Sequence, residues 1–393
     1  FTDALNMKGA ANYAKPGDID LAAFMAGNDM LLIPENVGAA VKKIKRALNT
    51  GEISMERLEF SVEKILKAKY WAGLNEYKPV ALEGLNDDLN TVQDSLLHAK
   101  LVESSITLLK NQNGIFPIKD LESTKIAYVK LGDAPSDVFL GMLQNYKNIE
   151  EIQLDENGQY LNKLKKYSTV IVGYHKSNSN PWKSFKFKQS ELDILEKIAA
   201  QNEVLLNVFA SPYALLDVKS FTNIESVLVG YQNSSYAQEI VAQMIFGAME
   251  TRGKLPVSIG NTFQEGTSLK STNLMRLTYG KPESVGMDGK AFSRVDSLIQ
   301  YAIEEKMTPG AQILVARYGK VVYQKSYGYH TYEKNKPVIN SDIYDLASLT
   351  KILGGVPLIM KGEEDGMFDL EDRLDKILPE FEGTNKDTLT VKE

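Results

Sequence analysis

Ser348-Leu349-Thr350-Lys351 is the stretch of this chain best equipped for chemistry. An S-x-x-K opening an apolar helical pattern puts both side chains on one face, one turn apart, so the lysine amine can reach the serine hydroxyl. A neutral or hydrogen-bonded lysine can then accept the serine proton, which makes a nucleophile without histidine. The positive end of the helix dipole beside the serine favours the negative charge that develops there. The same four residues also read as an N-cap serine beside a solvated lysine, because so short a pattern recurs by chance. A second candidate is Asp3, in Phe1-Thr2-Asp3-Ala4-Leu5-Asn6-Met7. A carboxylate just past a strand end is where an α/β barrel carries its catalytic groups, and there it can attack a sugar's anomeric carbon. On spacing alone, an Asp ahead of a helical pattern reads more readily as a cap.

The elements that must position these residues fall into three segments: 1–77, 78–273 and 274–393. In the first, Val37, Ala40, Val41, Ile44, Ala47 and Leu48 recur at helical spacing. A second helix is expected with Ser54 as cap, Leu58, Val62, Ile65, Leu66 and Tyr70 as its stripe, and Gly73 as its stop. The short apolar piece 29–33 precedes a helix, which predicts strand–helix alternation. In the second segment, residues 105–110, 126–131, 169–174, 204–209 and 226–231 read as strands. Helical patterns lie over 190–200, opened by a capping-box-like Ser190-Glu191-Leu192-Asp193, and over 236–248. Nearly continuous apolar strands between helices predict a mostly parallel sheet covered on both faces. The third segment predicts a helix over 292–306 and a hairpin of 312–317 with 321–327 turning at Tyr318-Gly319-Lys320. The S-x-x-K helix follows, weakened or bent by Gly354-Gly355 and Pro357. Residues 262–273, rich in Ser, Thr, Gly and Gln, are the expected linker.

Bulk properties narrow the function classes. The chain has 393 residues, enough for two or three domains, and is 43% hydrophobic and 24% charged, as globular proteins are. A net charge of −6 argues against nucleic acid as a partner, and phosphate-cradling glycine motifs are absent. There is no cysteine, which removes disulfides, thiolate metal sites and a cysteine nucleophile. His98, His175 and His330 are too scattered for an H-E-x-x-H zinc site, and no metal or other cofactor is expected. No apolar run approaches the roughly 20 residues that span a bilayer. His175, beside Gly173 and Tyr174, lacks a sequence partner for catalysis and reads as an ordinary loop histidine. Trp182, Phe185 and Phe187 alternate with lysines and read as a solvated loop with partly buried aromatics, or as a sugar-stacking surface.

Three motifs change the weight given to Asp3. The T-D-A-L of residues 2–5, Asp20-Leu21-Ala22-Ala23-Phe24-Met25-Ala26-Gly27-Asn28-Asp29-Met30-Leu31-Leu32, and Ser61-Val62-Glu63-Lys64-Ile65-Leu66-Lys67-Ala68-Lys69-Tyr70 occur in that order. Together they resemble the closing part of a family 3 glycoside hydrolase barrel, most of all its β-N-acetylglucosaminidases. The resemblance implies that Asp3 is the nucleophile of a retaining mechanism running through a covalent glycosyl-enzyme. It places Asn28 and Asp29 at the end of the last barrel strand, with a sugar-contacting or a structural role. It also implies an Asp–His acid/base pair on an earlier barrel loop, ahead of Phe1. A complete barrel takes about 250 residues, so the first segment is expected to supply its last two or so units. Glu103-Ser104-Ser105-Ile106-Thr107-Leu108-Leu109-Lys110-Asn111 and Arg252-Gly253-Lys254-Leu255-Pro256-Val257-Ser258 resemble the same family's C-terminal α/β sandwich.

The third segment resembles a different family. Pro309-Gly310-Ala311-Gln312-Ile313-Leu314-Val315-Ala316-Arg317, Gly319-Lys320-Val321-Val322-Tyr323 and Tyr327-Gly328-Tyr329 precede the S-x-x-K in the order of the serine β-lactamase, DD-peptidase and esterase superfamily. That resemblance implies Ser348 as the acylated nucleophile and Lys351 as its proton acceptor. The superfamily's Y-x-N or S-x-N motif and its K-T-G or H-x-G strand do not occur after Lys351. The expected fold is therefore α/β: the end of a TIM-like barrel, a three-layer sandwich, and the start of a β-lactamase-like α+β domain. The chain reads as a fragment with little activity alone, from a protein acting on amino-sugar glycans, cell wall among them. An exported or periplasmic location in a bacterium is expected from the resemblance only. Alternatives are an acyl hydrolase as the main activity, or a C-terminal half that is a degenerate binding module.

Overall fold

The computed structural model describes residues 1–180 and 182–393. The chain divides into two compact units, Phe1–Asn90 and Thr91–Glu393.

The first unit holds helices α1 (Lys8–Ala11), α2 (Asp18–Met25), α3 (Val37–Asn49), α4 (Met55–Trp71) and α5 (Leu85–Leu89). Asn36 caps α3 by accepting from the Ala39 N–H, and Ser54 caps α4 by accepting from the Arg57 N–H. Gly73 ends α4 in the left-handed region (φ 73°), where a Cβ would be strained. Phe24, Ala47 and Ile53 form a small core with Leu21, Ile44, Leu48 and Leu58. The expected strand over 29–33 is not formed, and no strand exists among the described residues of this unit. Two backbone hydrogen bonds join the extended segments, Thr2 to the Met30 carbonyl (3.0 Å) and Leu5 to the Leu32 carbonyl (2.9 Å). They run parallel with α1 and α2 between them, which is βαβ connectivity, but two bonds do not build a ladder. A barrel is accordingly not observed here.

The second unit is organised by a six-stranded sheet of order β1-β6-β5-β4-β2-β3. Its strands are β1 (Thr107–Asn111), β2 (Ile126–Gly132), β3 (Glu150–Glu151), β4 (Thr169–His175), β5 (Glu203–Phe209) and β6 (Ser226–Val229). All pairs are parallel except β1 with β6, so the edge strand β1 departs from the parallel expectation. Every residue of β4 is buried, the mark of a strand covered on both faces. Val170, Val172 and Tyr174 face one core, with helices α8 (Gln159–Leu164) and α9 (Gln189–Ala199). Ile171 faces the other, with α6 (Val92–Ser105), α7 (Asp137–Gln144) and α10 (Ser235–Ile245). The period of two along β4 thus feeds two separate helix layers. At the end of β2, a Cβ on Gly132 would lie 2.0 Å from the His175 carbonyl oxygen, so only glycine permits this approach.

Two local expectations need correcting. Helix α9 is boxed not by Ser190 but by Glu191, whose Oε2 accepts from the Lys188 N–H at 2.7 Å, because Glu191 stands at the third helical position. The expected linker 262–273 is packed: Leu269 donates to the Leu108 carbonyl, Phe263 is buried, and Ser271 and Thr251 bond reciprocally. Most of its polar residues stay exposed, and the segment is held by Phe263 and by the Ser271–Thr251 bonds.

The chain then continues without a break in packing. The Arg276 guanidinium donates to the carbonyls of Ile118, Lys119 and Phe246 at 2.6–2.8 Å. Strand β7 (Thr278–Tyr279) pairs with β9 of a three-stranded sheet of order β7-β9-β8, with β8 Gly310–Arg317 and β9 Lys320–Gly328. The hairpin turns at Tyr318 (φ 53°) and Gly319 (φ 73°), two positive φ values in a two-residue loop that match strand twist. Helix α11 (Phe292–Glu304) lies against β9, pinned by Asp296, which accepts from the hydroxyls of Tyr323 and Tyr327 and from the Lys325 ammonium. Helices α12 (Val356–Glu364) and α13 (Leu374–Ile377) follow. Among the described residues no helix is long and apolar enough to cross a membrane.

Candidate functional sites

The first candidate centre is built on the paired segments of the first unit. Asp3 is exposed, and its Oδ1 accepts from the Ala4 N–H at 2.7 Å. Its neighbour Thr2 uses Oγ1 to accept from the Leu32 N–H at 2.8 Å, which fixes the segment beside Leu32. Asn28 serves the end of α2: its Nδ2 donates to the Ala23 carbonyl at 2.9 Å, and its own carbonyl accepts from Arg57 at 3.1 Å.

Asp29 is engaged on both carboxylate oxygens. Oδ1 accepts from Ser61 at 2.8 Å and Arg57 at 3.3 Å, and Oδ2 accepts from Lys64 at 2.6 Å. Arg57 also stacks over the Phe24 ring at 4.6 Å. The sequence pattern missed this clamp: 57, 61 and 64 fall on one face of α4, but their spacing does not point to Asp29 as the partner. A cavity of about 380 Å³ opens beside it, lined by Phe1, Asp29, Met30, Lys64, Ile65 and Leu74.

The hydrogen bonds from Lys64 and Ser61, with smaller help from the Lys64 charge and Arg57, hold the Asp29 carboxyl at about 2 against an ordinary 3.8. A depressed carboxyl stabilises the fold fully above its ordinary value, and that support is lost as pH falls through about 2. The expected result is that the stability gap between wild type and Asp29→Asn closes between pH 4 and pH 2, read by thermal melts across that window. A gap that stays constant would remove Asp29 from this role.

The second centre is built by the hairpin and the residues after it. Gln312 Nε2 donates to the carbonyls of Ile339 and Asp342, and Ser326 Oγ donates to Asn340 Oδ1 at 2.5 Å. Asp342 accepts from His330 Nε2 at 2.7 Å and from the Ile339 N–H at 2.8 Å. These bonds tie to β8 and β9 the stretch that leads into Ser348. Ala347 then takes a positive φ of 45°, unusual for a residue with a Cβ. Its N–H donates to Asp345 Oδ1 at 2.7 Å, an Asx-type turn that the Asp345 spacing could have signalled. Leu349, Thr350 and Lys351 each donate to the carbonyl three residues back, which starts the helix at Ser348.

Lys351 Nζ donates to Ser348 Oγ at 3.3 Å, so the S-x-x-K pair does meet. Both side chains are exposed. In this geometry the amine is a donor, and it must give up a proton before it can accept one from the serine. The glycine pair and Pro357 also find a reason. Residues Lys351–Gly355 form a π-helical turn, with the Val356 N–H donating to the Lys351 carbonyl five residues back. Pro357 offers no N–H to the carbonyl four back, and the small Gly354 and Gly355 let the wider turn form ahead of it.

His175 is not a loop residue but the last of β4, fully buried. Asn233 Oδ1 lies 2.7 Å from Nδ1 while Asn233 Nδ2 donates to the Pro135 carbonyl, so Nδ1 carries the proton and Nε2 accepts from Tyr128 at 3.0 Å. Burial pushes its pKa down to about 4, and the ring stacks on Phe209. It is a neutral core histidine. Of the neighbouring aromatics, Trp182 is exposed, while Phe187 is buried and stacked on Tyr174 at 3.6 Å.

Three family models match parts of the chain. Residues 1–68 match the Glycosyl hydrolase family 3 N terminal domain, 106–293 the Glycosyl hydrolase family 3 C-terminal domain, and 295–393 the Beta-lactamase domain. Protein flp of Staphylococcus aureus is 33% identical over 104 residues, which are 25% of this chain and 20% of that protein. The lysosomal beta glucosidase of Dictyostelium discoideum is 36% identical over 100 residues, 25% of this chain and 12% of that protein. Among solved structures, the beta-glucoside phosphorylase BglX bound to 2FGlc overlaps 66% of this chain and 48% of its own at 22% identity, with a TM-score of 0.53. The beta-glucosidase of Listeria innocua in complex with glucose overlaps 66% and 40% at 16% identity, also with a TM-score of 0.53. Such identities speak to fold alone, and the chain spans less than half of either structure. With both of that family's domain models matched in order, the chain belongs to glycoside hydrolase family 3, and it carries a β-lactamase domain after them.

Proposed function

We propose that the full-length protein releases terminal β-linked N-acetylglucosamine from amino-sugar glycans by a retaining mechanism. Asp3 attacks the anomeric carbon and forms a covalent glycosyl-enzyme, which water then hydrolyses. The observation that carries this reading is the Asp3 carboxylate. It stands exposed at its motif position in the family 3 stretch, held among the described residues by one backbone N–H and no cation, which suits a nucleophile. An acid/base from elsewhere in the protein protonates the departing oxygen, at the separation of about 5–5.5 Å that a retaining pair requires. Asn28 and Asp29, on the segment paired beside Asp3, shape the wall of the sugar site from the α4 clamp. Cell-wall glycan as the substrate and export from a bacterial cell complete the proposal.

The choice between sugars is open to a direct test. The full-length protein should turn over p-nitrophenyl N-acetyl-β-glucosaminide with a kcat/KM at least about 10-fold above that for the β-glucoside, a difference of about 1.4 kcal/mol. The reverse preference would make it a β-glucosidase, as its Dictyostelium relative is named. A second reading rests on the Lys351–Ser348 contact: an acyl hydrolase in the β-lactamase domain, with Ser348 as nucleophile.

A further inference from the structure

A cavity of about 340 Å³ lies within the second unit, where α6 and α10 meet residues 279–284. It is of small-ligand size and belongs to neither candidate centre. Leu96, Ile240 and Met249 make an apolar wall. Charges of both signs stand among the remaining lining residues. Glu239 forms no ion pair among the described residues, and burial pushes its carboxyl pKa up while the Lys281 charge opposes the shift. Lys281 Nζ lies 5.6 Å from the centre of the Tyr236 ring, and among the described residues Lys320 Nζ donates only to the neutral Ser284 hydroxyl, at 3.2 Å. Lys100 and Glu103 add one charge of each sign at the same cavity.

A half-buried carboxylate without a cationic partner is destabilised, and it gains most from a ligand ammonium that replaces lost water. The lysines gain likewise from a carboxylate. A plain anion or a plain amine would satisfy one side and leave the other unpaired. We propose that this cavity binds a small zwitterion, an α-amino acid with an aliphatic side chain. Its ammonium meets Glu239, its carboxylate meets Lys281 and Lys320, and its side chain lies on Ile240 and Met249. The cavity is bounded by α10 and residues 279–284 of the family 3 C-terminal match, by α6 just ahead of it, and by Lys320 of the β-lactamase match. An occupant would therefore tie the two together. This inference does not depend on the sugar chemistry.

Calorimetry on the full-length protein with leucine, N-acetylleucine and leucinamide tests it. Leucine is expected to bind, with each capped analogue at least about 10-fold weaker, because each lacks one of the two charges. Glu239→Gln should weaken leucine by at least about 10-fold while leaving N-acetylleucine as in wild type, and Lys281→Met should spare leucinamide in the same way. Absence of leucine binding at millimolar concentration, equal binding of the three probes to wild type, or unchanged leucine affinity in Glu239→Gln would each overturn the proposal. The comparison of probes on wild type decides the matter even where a variant does not fold.

Discussion

Replacing Asp3 by Asn in the full-length protein is expected to lower kcat/KM for p-nitrophenyl N-acetyl-β-glucosaminide by about 10³-fold or more. That corresponds to about 4 kcal/mol of lost transition-state stabilisation. The size follows from what is removed. An amide of the same shape cannot form the glycosyl-ester bond, so the covalent path closes while binding contacts persist. KM should therefore change far less than kcat. Among the described residues the carboxylate's only hydrogen bond is with the Ala4 N–H, and the amide oxygen can accept it too, so the melting temperature should stay near wild type. Equal loss of stability and activity would instead point to a structural role for Asp3. That role is not the cap that spacing suggested, because α1 starts at Lys8 with Met7 as its N-cap.

The second large effect concerns acyl transfer. Ser348→Ala should abolish turnover of p-nitrophenyl acetate or nitrocefin in the full-length protein, again by about 10³-fold or more. Lys351→Met should approach the same loss, because on the proposed acyl-hydrolase reading Lys351, 3.3 Å from Ser348, accepts the serine proton once it has given up one of its own. Both variants should leave glycoside hydrolysis untouched, since Ser348 and Asp3 lie in different compact units. Ester turnover that survives Ser348→Ala would remove the acyl-hydrolase reading and favour a binding role for the domain.

What could be read from residues alone, and what could not, follows from burial. Strands β2, β4 and β5 were legible because both their faces are covered, so they appear as runs such as Thr169-Val170-Ile171-Val172-Gly173-Tyr174. The hairpin was legible because Tyr318-Gly319 supplies the turn that right-twisted strands require. Direction is a different matter. Strand β1 runs antiparallel at the sheet edge, and its run Thr107-Leu108-Leu109 looks the same in either orientation. Residues 262–273 read as a linker because most of their polar side chains are exposed, while the burial of Phe263 and the Thr251–Ser271 bonds are long-range packing that leaves no mark on composition. The first unit misled for a third reason. The segment 29–33 has a strand's composition, yet a strand is defined by its neighbours, and here one parallel neighbour contributes two bonds.

The candidate sites divide in the same manner. Asp3, Ser348 and Lys351 were visible by motif, and the serine–lysine contact by helical geometry. The Arg57–Ser61–Lys64 clamp on Asp29 was not, because it joins α4 to a turn some 30 residues earlier. The same clamp sets the sign of the Asp29 acid response, an outcome that no local reading of Asn28-Asp29 contains.

The central claim is that Asp3 becomes covalently glycosylated. The most direct measurement is to treat the full-length protein with an activated fluorosugar that forms the glycosyl-enzyme quickly and releases it slowly, then to map the label by peptide mass spectrometry. The label is predicted on Asp3 within Phe1-Thr2-Asp3-Ala4-Leu5-Asn6-Met7, and it should be absent from Asp3→Asn. A label on any other carboxylate, or steady hydrolysis with no covalent species in an active enzyme, would contradict the account.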